Sequence, residues 1–458
     1  MNKMTTEVHT QLDPAASERA NRIRASLRRR QVSEQVFRGL GLVAICLALG
    51  FVALLFVDIF RKGTPAFIQT NLHLAVTFDP EVIDVGPPPE REQFQSQAEF
   101  QAATLGWQRD LAMLNWNRLV EDALHAAAPE AAEIESRALL SIPETNARHV
   151  LREMFLRNPS LLGQTVEVSL LASAHVDNWV KGNIDRSLGD SQQQLRPEVR
   201  ALIDAMEADG TISTGFAWSM FTNVDSRSAP AAAGLLGAFV GTLWMMLIVI
   251  VLAVPIGVAA AIYLEEFAPK SRLTDLIEVN INNLAAVPSI VFGLLGAAVF
   301  INWFKLPISA PLVGGLVLTL MTLPTIIIAT RGALLGVSPA LRQAALGMGA
   351  SKTQMVFHHV LPVTFPSILT ATIIGVAQAL GETAPLLLIG MKAFVAQVPA
   401  TPLDQATALP VQIYLWQGNE NRNFFEPRTA AAIMVLLAVM ILLNGVAIYL
   451  RSRLEKRA

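Results

Sequence analysis

The run GVAQALGETAPLLLIG, Gly375–Gly390, sets a carboxylate, Glu382, in an otherwise apolar segment. A charged side chain at the centre of a membrane helix costs about 2.5–3.5 kcal/mol. A glutamate kept there points to a transport path, a gate or a lock between helices. Gln378 stands four residues earlier, on the same face of a continuous helix, and Thr383 follows directly. The Gln378 amide can hydrogen-bond Glu382 without cancelling its charge. That leaves three balancing partners: a cation from another chain, the Arg331 guanidinium, or a bound proton. Asn280, Asn282, Asn283 and Ser289, around a second apolar run, have donors for a passing anion or for a neighbouring helix. Nothing comparable serves catalysis. Cys46 is the one cysteine, and His73, His125, His149 and His175 lack metal-ligand spacing. A Gly-x-x-x-x-Gly-Lys-Ser/Thr loop is missing, so ATP is not bound in that way. The chain reads as a non-catalytic protein without metal or cofactor of its own.

The elements that position these residues are long apolar runs. Of 458 residues, 52% are hydrophobic, and they are concentrated rather than spread as core stripes. Runs fall at residues 37–60, 234–263, 284–303, 311–330, 366–390 and 430–450. Each is long enough for a hydrocarbon core of about 30 Å. This predicts an all-α membrane protein with six spans. The first run follows a long basic tail, RIRASLRRR, and reads as a retained span rather than a cleaved leader. Basic residues concentrate on the cytoplasmic side, which places both termini there, the second ending RSRLEKRA. The domain reading is a tail over 1–36, a first span over 37–60, an extracytoplasmic insert over 61–233, a five-helix core over 234–450 and a tail over 451–458. The insert carries 14 Lys and Arg against 23 Asp and Glu, a net of −9. Helical spacing dominates it, as in Phe100, Ala103, Trp107, Leu111 and Leu114, and QTVEVSLLAS is a candidate strand. It is expected to fold as its own domain. Pro255, Pro288 and Pro324 are expected to interrupt three spans. One stretch fits the charge rule poorly: Glu265–Glu278 holds four acids and two bases on the side assigned to the cytoplasm.

The loop 331–362 holds Arg331, Arg342 and Lys352 and no acid. Within it, PALRQAALGMGA reads as a short helix stopped at glycine, and SKTQMVFHHVLP as a second helix closed by Pro362. Helix, glycine turn and helix make a compact knob that fits a partner's groove.

This loop resembles that of the inner-membrane permeases of ATP-binding-cassette importers. Their pattern is Glu-Ala-Ala, three residues, Gly, nine residues, Ile, one residue, Leu-Pro. Here Gln343, Ala344, Ala345, Gly349, Leu361 and Pro362 hold that spacing, with Gln343 in place of Glu and His359 in place of a hydrophobe. The stretches NNLAAVPSIVFGLLG, RSAPAAAGLLGAFVGTLW and GETAPLLLIG are similar to the PstA family of phosphate-uptake permeases, and 61–233 resembles the extension of its longer members. The resemblance implies half of a translocation path in a bacterial inner membrane. It also implies a sister permease subunit, two copies of a cytoplasmic ATPase that uses ATP and Mg, and a periplasmic phosphate-binding protein. Loop 331–362 would couple to the ATPase. Glu382, Gln378, Thr383, Arg331, Ser289 and Asn283 would line or gate the path. Related Gly-Glu-Thr motifs have Arg where this chain has Gln378. Two other readings stand beside it: a permease for sulfate, molybdate or phosphonate, and a membrane receptor that uses the insert as sensor.

Overall fold

The computed structural model describes residues 14–391, 395 and 397–455. Two compact units divide between Arg61 and Lys62. The first is essentially one helix, α1 (Pro14–Gly63). Residues 1–13 of the expected tail lie outside the described residues. Phe37, Leu40, Phe51 and Leu54 are all well exposed on α1. A helix that is apolar all round is stable only in apolar surroundings, and Ser33–Phe67 has the length and hydropathy to cross a bilayer.

The second unit opens with the insert, built on a three-stranded antiparallel sheet. Its middle strand β1 (Ile68–Thr77) lies between β2 (Thr165–Leu171) and β3 (Ile212–Phe216). Leu72 pairs with Leu170 and with Ile212. Thr70, Leu72, Leu74 and Val76 alternate on the buried face of β1. Leu72, Leu74 and Val76 share one core with α2 (Gln97–Met113), α3 (Trp116–Ala127), α4 (Ala147–Arg157), α5 (Ala174–Val180) and α6 (Pro197–Ala208). Ser96 and Glu99 close a capping box that starts α2. Helices dominate the insert as expected, and QTVEVSLLAS contains β2. The other two strands are additions to that reading.

The remaining helices are α7 (Leu236–Ile262), α8 (Arg272–Ala285), α9 (Ser289–Gly296), α10 (Pro311–Leu335), α11 (Pro339–Gly347), α12 (Leu361–Gly381), α13 (Ala384–Leu388), α14 (Leu409–Gln417) and α15 (Arg422–Glu455). A π-helical turn, Tyr263–Phe267, extends α7, and another, Ala297–Trp303, extends α9. Among the described residues, five helices are long and apolar enough to span a membrane. They become six if α8 and the α9 segment, bent by 102°, count as one.

Two expected spans differ in form. The third is broken at Ala286–Pro288, the interruption expected of Pro288, which has no N–H for the Leu284 carbonyl and pushes its predecessor out of helical geometry. The fifth stops at Gly381 instead of running to Gly390, because Pro385 would clash with the Gly381 carbonyl one turn back. Pro255 and Pro324, in contrast, lie inside continuous helices. Pro362 closes nothing either. A π-helical turn, Met355–Val360, runs straight into α12 and gives its ring room.

Helices α7, α10 and α12 pack around Ile326. A Cβ at Gly257 would lie 2.8 Å from Ile326 Cγ2, and one at Gly375 would lie 3.1 Å from its Cγ1. The insert is joined to this bundle rather than tethered beside it. Ala66, Ala174, Ala217 and Met220 share a buried cluster with Leu409, Trp416, Phe424 and Ala431. Arg428 of α15, buried, donates to the carbonyls of Ala231 at 2.8 Å, Ala233 at 2.5 Å and Pro230 at 3.2 Å. Glu144 of the insert accepts from Ala231 N at 2.7 Å. Excising residues 61–233 would strip Arg428 of these partners and open the shared cluster, although the insert keeps a separate core of its own.

Candidate functional site

The site begins at the two breaks. Glu382 is the residue after the last turn of α12, with extended backbone at φ −78° and ψ 124°. It is not inside a helix, so Gln378 and Glu382 are not stacked one turn apart on a continuous face. Glu382 is half-buried, and among the described residues its carboxylate has no hydrogen-bond or ion-pair partner. Gln378 is exposed on the last turn of α12, and Thr383 leads into α13.

Packing brings the second break to the first. A Cβ at Gly293 would lie 2.7 Å from Pro385 Cα, and one at Gly296 would lie 3.5 Å from Ile389 Cγ2. These two contacts set α9 and α13 parallel. Ser289 opens α9, and Glu382 and Thr383 immediately precede α13. Ser289 is half-buried there, while Asn283 is exposed near the end of α8. Ser289, Glu382 and Thr383 thus mark one locus, the starts of two helices that pack side by side. Such breaks survive in a membrane where the irregular backbone lines a cavity or is covered by protein.

Arg331 does not belong to this locus. Its guanidinium binds Glu278 Oε1 at 2.8 Å and Glu265 Oε2 at 3.4 Å. The α10 and α12 helices run antiparallel and cross where Ile326 meets Gly375. Arg331 lies five residues beyond that crossing and Glu382 seven beyond it in the other direction. At 1.5 Å per residue the two are roughly 18 Å apart along the axis. Arg331 is thus ruled out as the charge partner of Glu382.

The second part of the site is the knob at the far end of the bundle. In α11, Gln343 and Ala344 face outward, and Ala345 is buried with Ile262, Leu334, Val337, Met355, Val356 and Val360. Gly349 has φ +87°, a left-handed conformation that glycine adopts without penalty. Ser351 and Gln354 then form a capping box that restarts the helix. Leu361 and Pro362 are half-buried at the base of α12. The outward face also carries Leu346, 47% exposed, and Met348, 89% exposed. Large apolar side chains this exposed on a knob suit a protein partner.

Charges fasten the knob. Arg342 donates to Glu266 Oε1 at 2.8 and 3.2 Å, to the Leu334 carbonyl at 2.8 Å and to the Val337 carbonyl at 2.6 Å. Glu266 is only 7% exposed. The preceding residue, Glu265, reaches Arg331 of α10, which holds Glu278 of α8. Glu265 and Glu266, in the π-helical turn after α7, thus link α11 to α10 and to the broken span. This arrangement accounts for the acid-rich stretch that fitted the charge rule poorly. Three of its four acids are spent on arginines of the next loop. Sequence reading missed the pairing, although acids in one loop facing bases in the next were its signal.

Facing helix breaks near Glu382 and a fastened knob at the other end define a multi-pass membrane permease. Residues 253–457 match the family described as binding-protein-dependent transport system inner membrane component. Residues 24–190 match a domain of unknown function, DUF3333. The chain is 31% identical over 229 residues to the probable ABC transporter permease protein YqgH of Bacillus subtilis, covering 48% of this chain and 72% of that one. It is 31% identical over 230 residues to the phosphate transport system permease protein PstA 1 of Mycobacterium tuberculosis H37Rv, covering 49% and 72%. PstC 1 of the same organism matches at 31% over 241 residues, covering 47% and 70%. A chain of the inward-facing MetNI methionine ABC transporter aligns with 18% identity and a TM-score of 0.37, over 48% of this chain and 94% of that one. The chain belongs to the binding-protein-dependent transport system inner membrane components, as a PstA-like ABC importer permease.

Proposed function

We propose that the chain is one transmembrane half of an ATP-driven importer of inorganic phosphate in a bacterial inner membrane. Its partners are a PstC-like sister permease, two copies of a PstB-like ATPase that consumes ATP and Mg, and a PstS-like periplasmic phosphate-binding protein. The chain itself carries the path and binds no cofactor. The observation that supports this most is the knob: Gly349 in a left-handed turn, an apolar face at Leu346 and Met348, and Arg342 anchored on Glu266. A partner ATPase that grips Gln343, Ala344 and the exposed tip would pull on α11. The Glu266–Glu265–Arg331–Glu278 chain of contacts would carry that pull to α10 and to the break at Pro288. Opening there would expose the locus of Ser289, Glu382 and Thr383 to one side of the membrane or the other. Phosphate is favoured over other oxyanions by the Gly-Glu-Thr-Ala-Pro-Leu run and by the phosphate transport permeases among the relatives. The orientation that goes with this reading puts residues 61–233 outside and the knob inside.

The test is uptake of labelled phosphate by proteoliposomes holding this chain, the sister permease and the ATPase, with binding protein and ATP supplied on opposite sides. Uptake that needs ATP and resists excess sulfate, molybdate and phosphonate is the expected result. Uptake of one of those anions in preference to phosphate would reassign the substrate. An impermeant thiol reagent should label a cysteine placed at Ser191 from outside the cell membrane. Labelling from the inside alone would reverse the topology.

A further inference from the structure

An aromatic patch lies on the insert where the chain leaves the membrane. Phe67 ends the apolar segment that starts at Ser33. Its ring stacks 6.0 Å from Phe221 and 6.5 Å from Phe216, and Trp218 sets its edge on Phe216 at 4.9 Å. Much of this surface is bare: Phe216 is 47% exposed, Trp218 66% and Ile68 47%. Phe216 ends β3, a free edge of the sheet, so no further strand covers it.

Two contacts fix the level of the patch. Leu235 N, at the start of α7, donates to the Met220 carbonyl at 2.7 Å, beside Phe221. Ala66 and Met220 pack in one cluster with Ala238 of α7 and with Ala431 and Ala432 of α15. The rings are therefore level with the start of α7 and with residues 431–432 of α15, where the apolar run of that helix begins, and a few residues past the end of α1. In open water a contiguous patch of this kind is uncommon. At the bilayer surface it is favoured, because aromatic side chains enrich at the headgroup level, and Trp sets its apolar body inward and its N–H toward water.

We propose that Phe67, Ile68, Phe216, Trp218 and Phe221 seat the insert in the lipid interface, so that the insert lies on the membrane rather than standing clear of it. Half-exposed rings at the height of helix ends fit the headgroup boundary, which surrounds every multi-pass protein at that level. Seating there also limits how the Arg428-bound insert tilts against α7 and α15.

The experiment uses the full chain in liposomes of phosphatidylethanolamine and phosphatidylglycerol, with and without the sister permease. The Trp218 contribution is the fluorescence difference between wild type and Trp218→Phe, a change mild enough to keep the fold. It should be blue-shifted, should lose intensity to nitroxide lipids labelled near the headgroup more than to lipids labelled at the chain end, and should lose little to aqueous acrylamide. Strong acrylamide quenching with no loss to nitroxide lipid would overturn the proposal. So would lipid quenching that disappears once the sister permease is present, which would make the patch a protein contact.

Discussion

The Arg342–Glu266 pair is the most exposed point of the coupling account. Glu266→Gln keeps the shape of the side chain and removes its charge. In a fully buried pair the loss of one partner costs about 3–5 kcal/mol. Here the Arg342 side chain is 21% exposed and keeps two carbonyl acceptors, on Leu334 and Val337. The loss is then closer to that of one charge-assisted hydrogen bond, about 1.5–3 kcal/mol. Two kcal/mol lowers the ratio of docked to loosened knob roughly 30-fold. Membrane insertion should survive, because the spans are untouched. The assay is phosphate uptake per ATP hydrolysed, in proteoliposomes with the whole complex. Glu266→Gln should lower this ratio severalfold while ATP hydrolysis continues. Arg342→Lys should fall between it and wild type, because an ammonium cannot fork to Glu266 and both carbonyls. A double-mutant cycle with Arg342→Gln separates the pair from each residue's other contacts. A coupling energy near zero, or a wild-type ratio in Glu266→Gln, would refute the reasoning.

Three further outcomes follow from the site and the insert. Among the described residues the Glu382 carboxylate has no partner, so Glu382→Gln should weaken association with the sister permease or slow uptake, and Gln378→Arg should be tolerated near the helix C-terminus, where a cation is favourable; undiminished uptake in Glu382→Leu would deny the carboxylate a role. Gly349→Val has open space around it but must hold φ +87°, a strain of about 1–2 kcal/mol, so uptake should uncouple from hydrolysis while Gly349→Asn retains part of it, as expression-matched uptake assays would register. Burial holds Lys181 below the ordinary Lys value of 10.5, and Asp177 only partly offsets this. In the window below 10.5 the unfolded chain therefore binds more protons than the folded one, and stability should rise with pH there. The melting temperature of wild type relative to Lys181→Met should climb as pH approaches that value, and a flat difference would contradict it.

Composition and periodicity settled much of this protein. Apolar runs are local in sequence, so most of the membrane helices could be read directly, as could β2 and most of the helices of the insert, α5 excepted. The spacing from Gln343 to Pro362 marked the knob, because a glycine turn between two short helices is set by neighbours in the chain. Two helix ends were also written locally: the one at Pro288 was expected from its proline, whereas continuous hydrophobicity hid the one at Pro385. Tertiary structure decided the rest. Whether Pro255 or Pro324 breaks a helix depends on what packs around it, not on the proline. Arg331 looked available to Glu382 in sequence, and the antiparallel crossing at Ile326 and Gly375 sends the two to opposite ends. Glu265 and Glu278 seemed out of place on their loop, and only the fold shows the arginine that balances them. Side-chain charges act through space over a few ångströms, so their partners are fixed by how helices pack rather than by how far apart they stand in the chain.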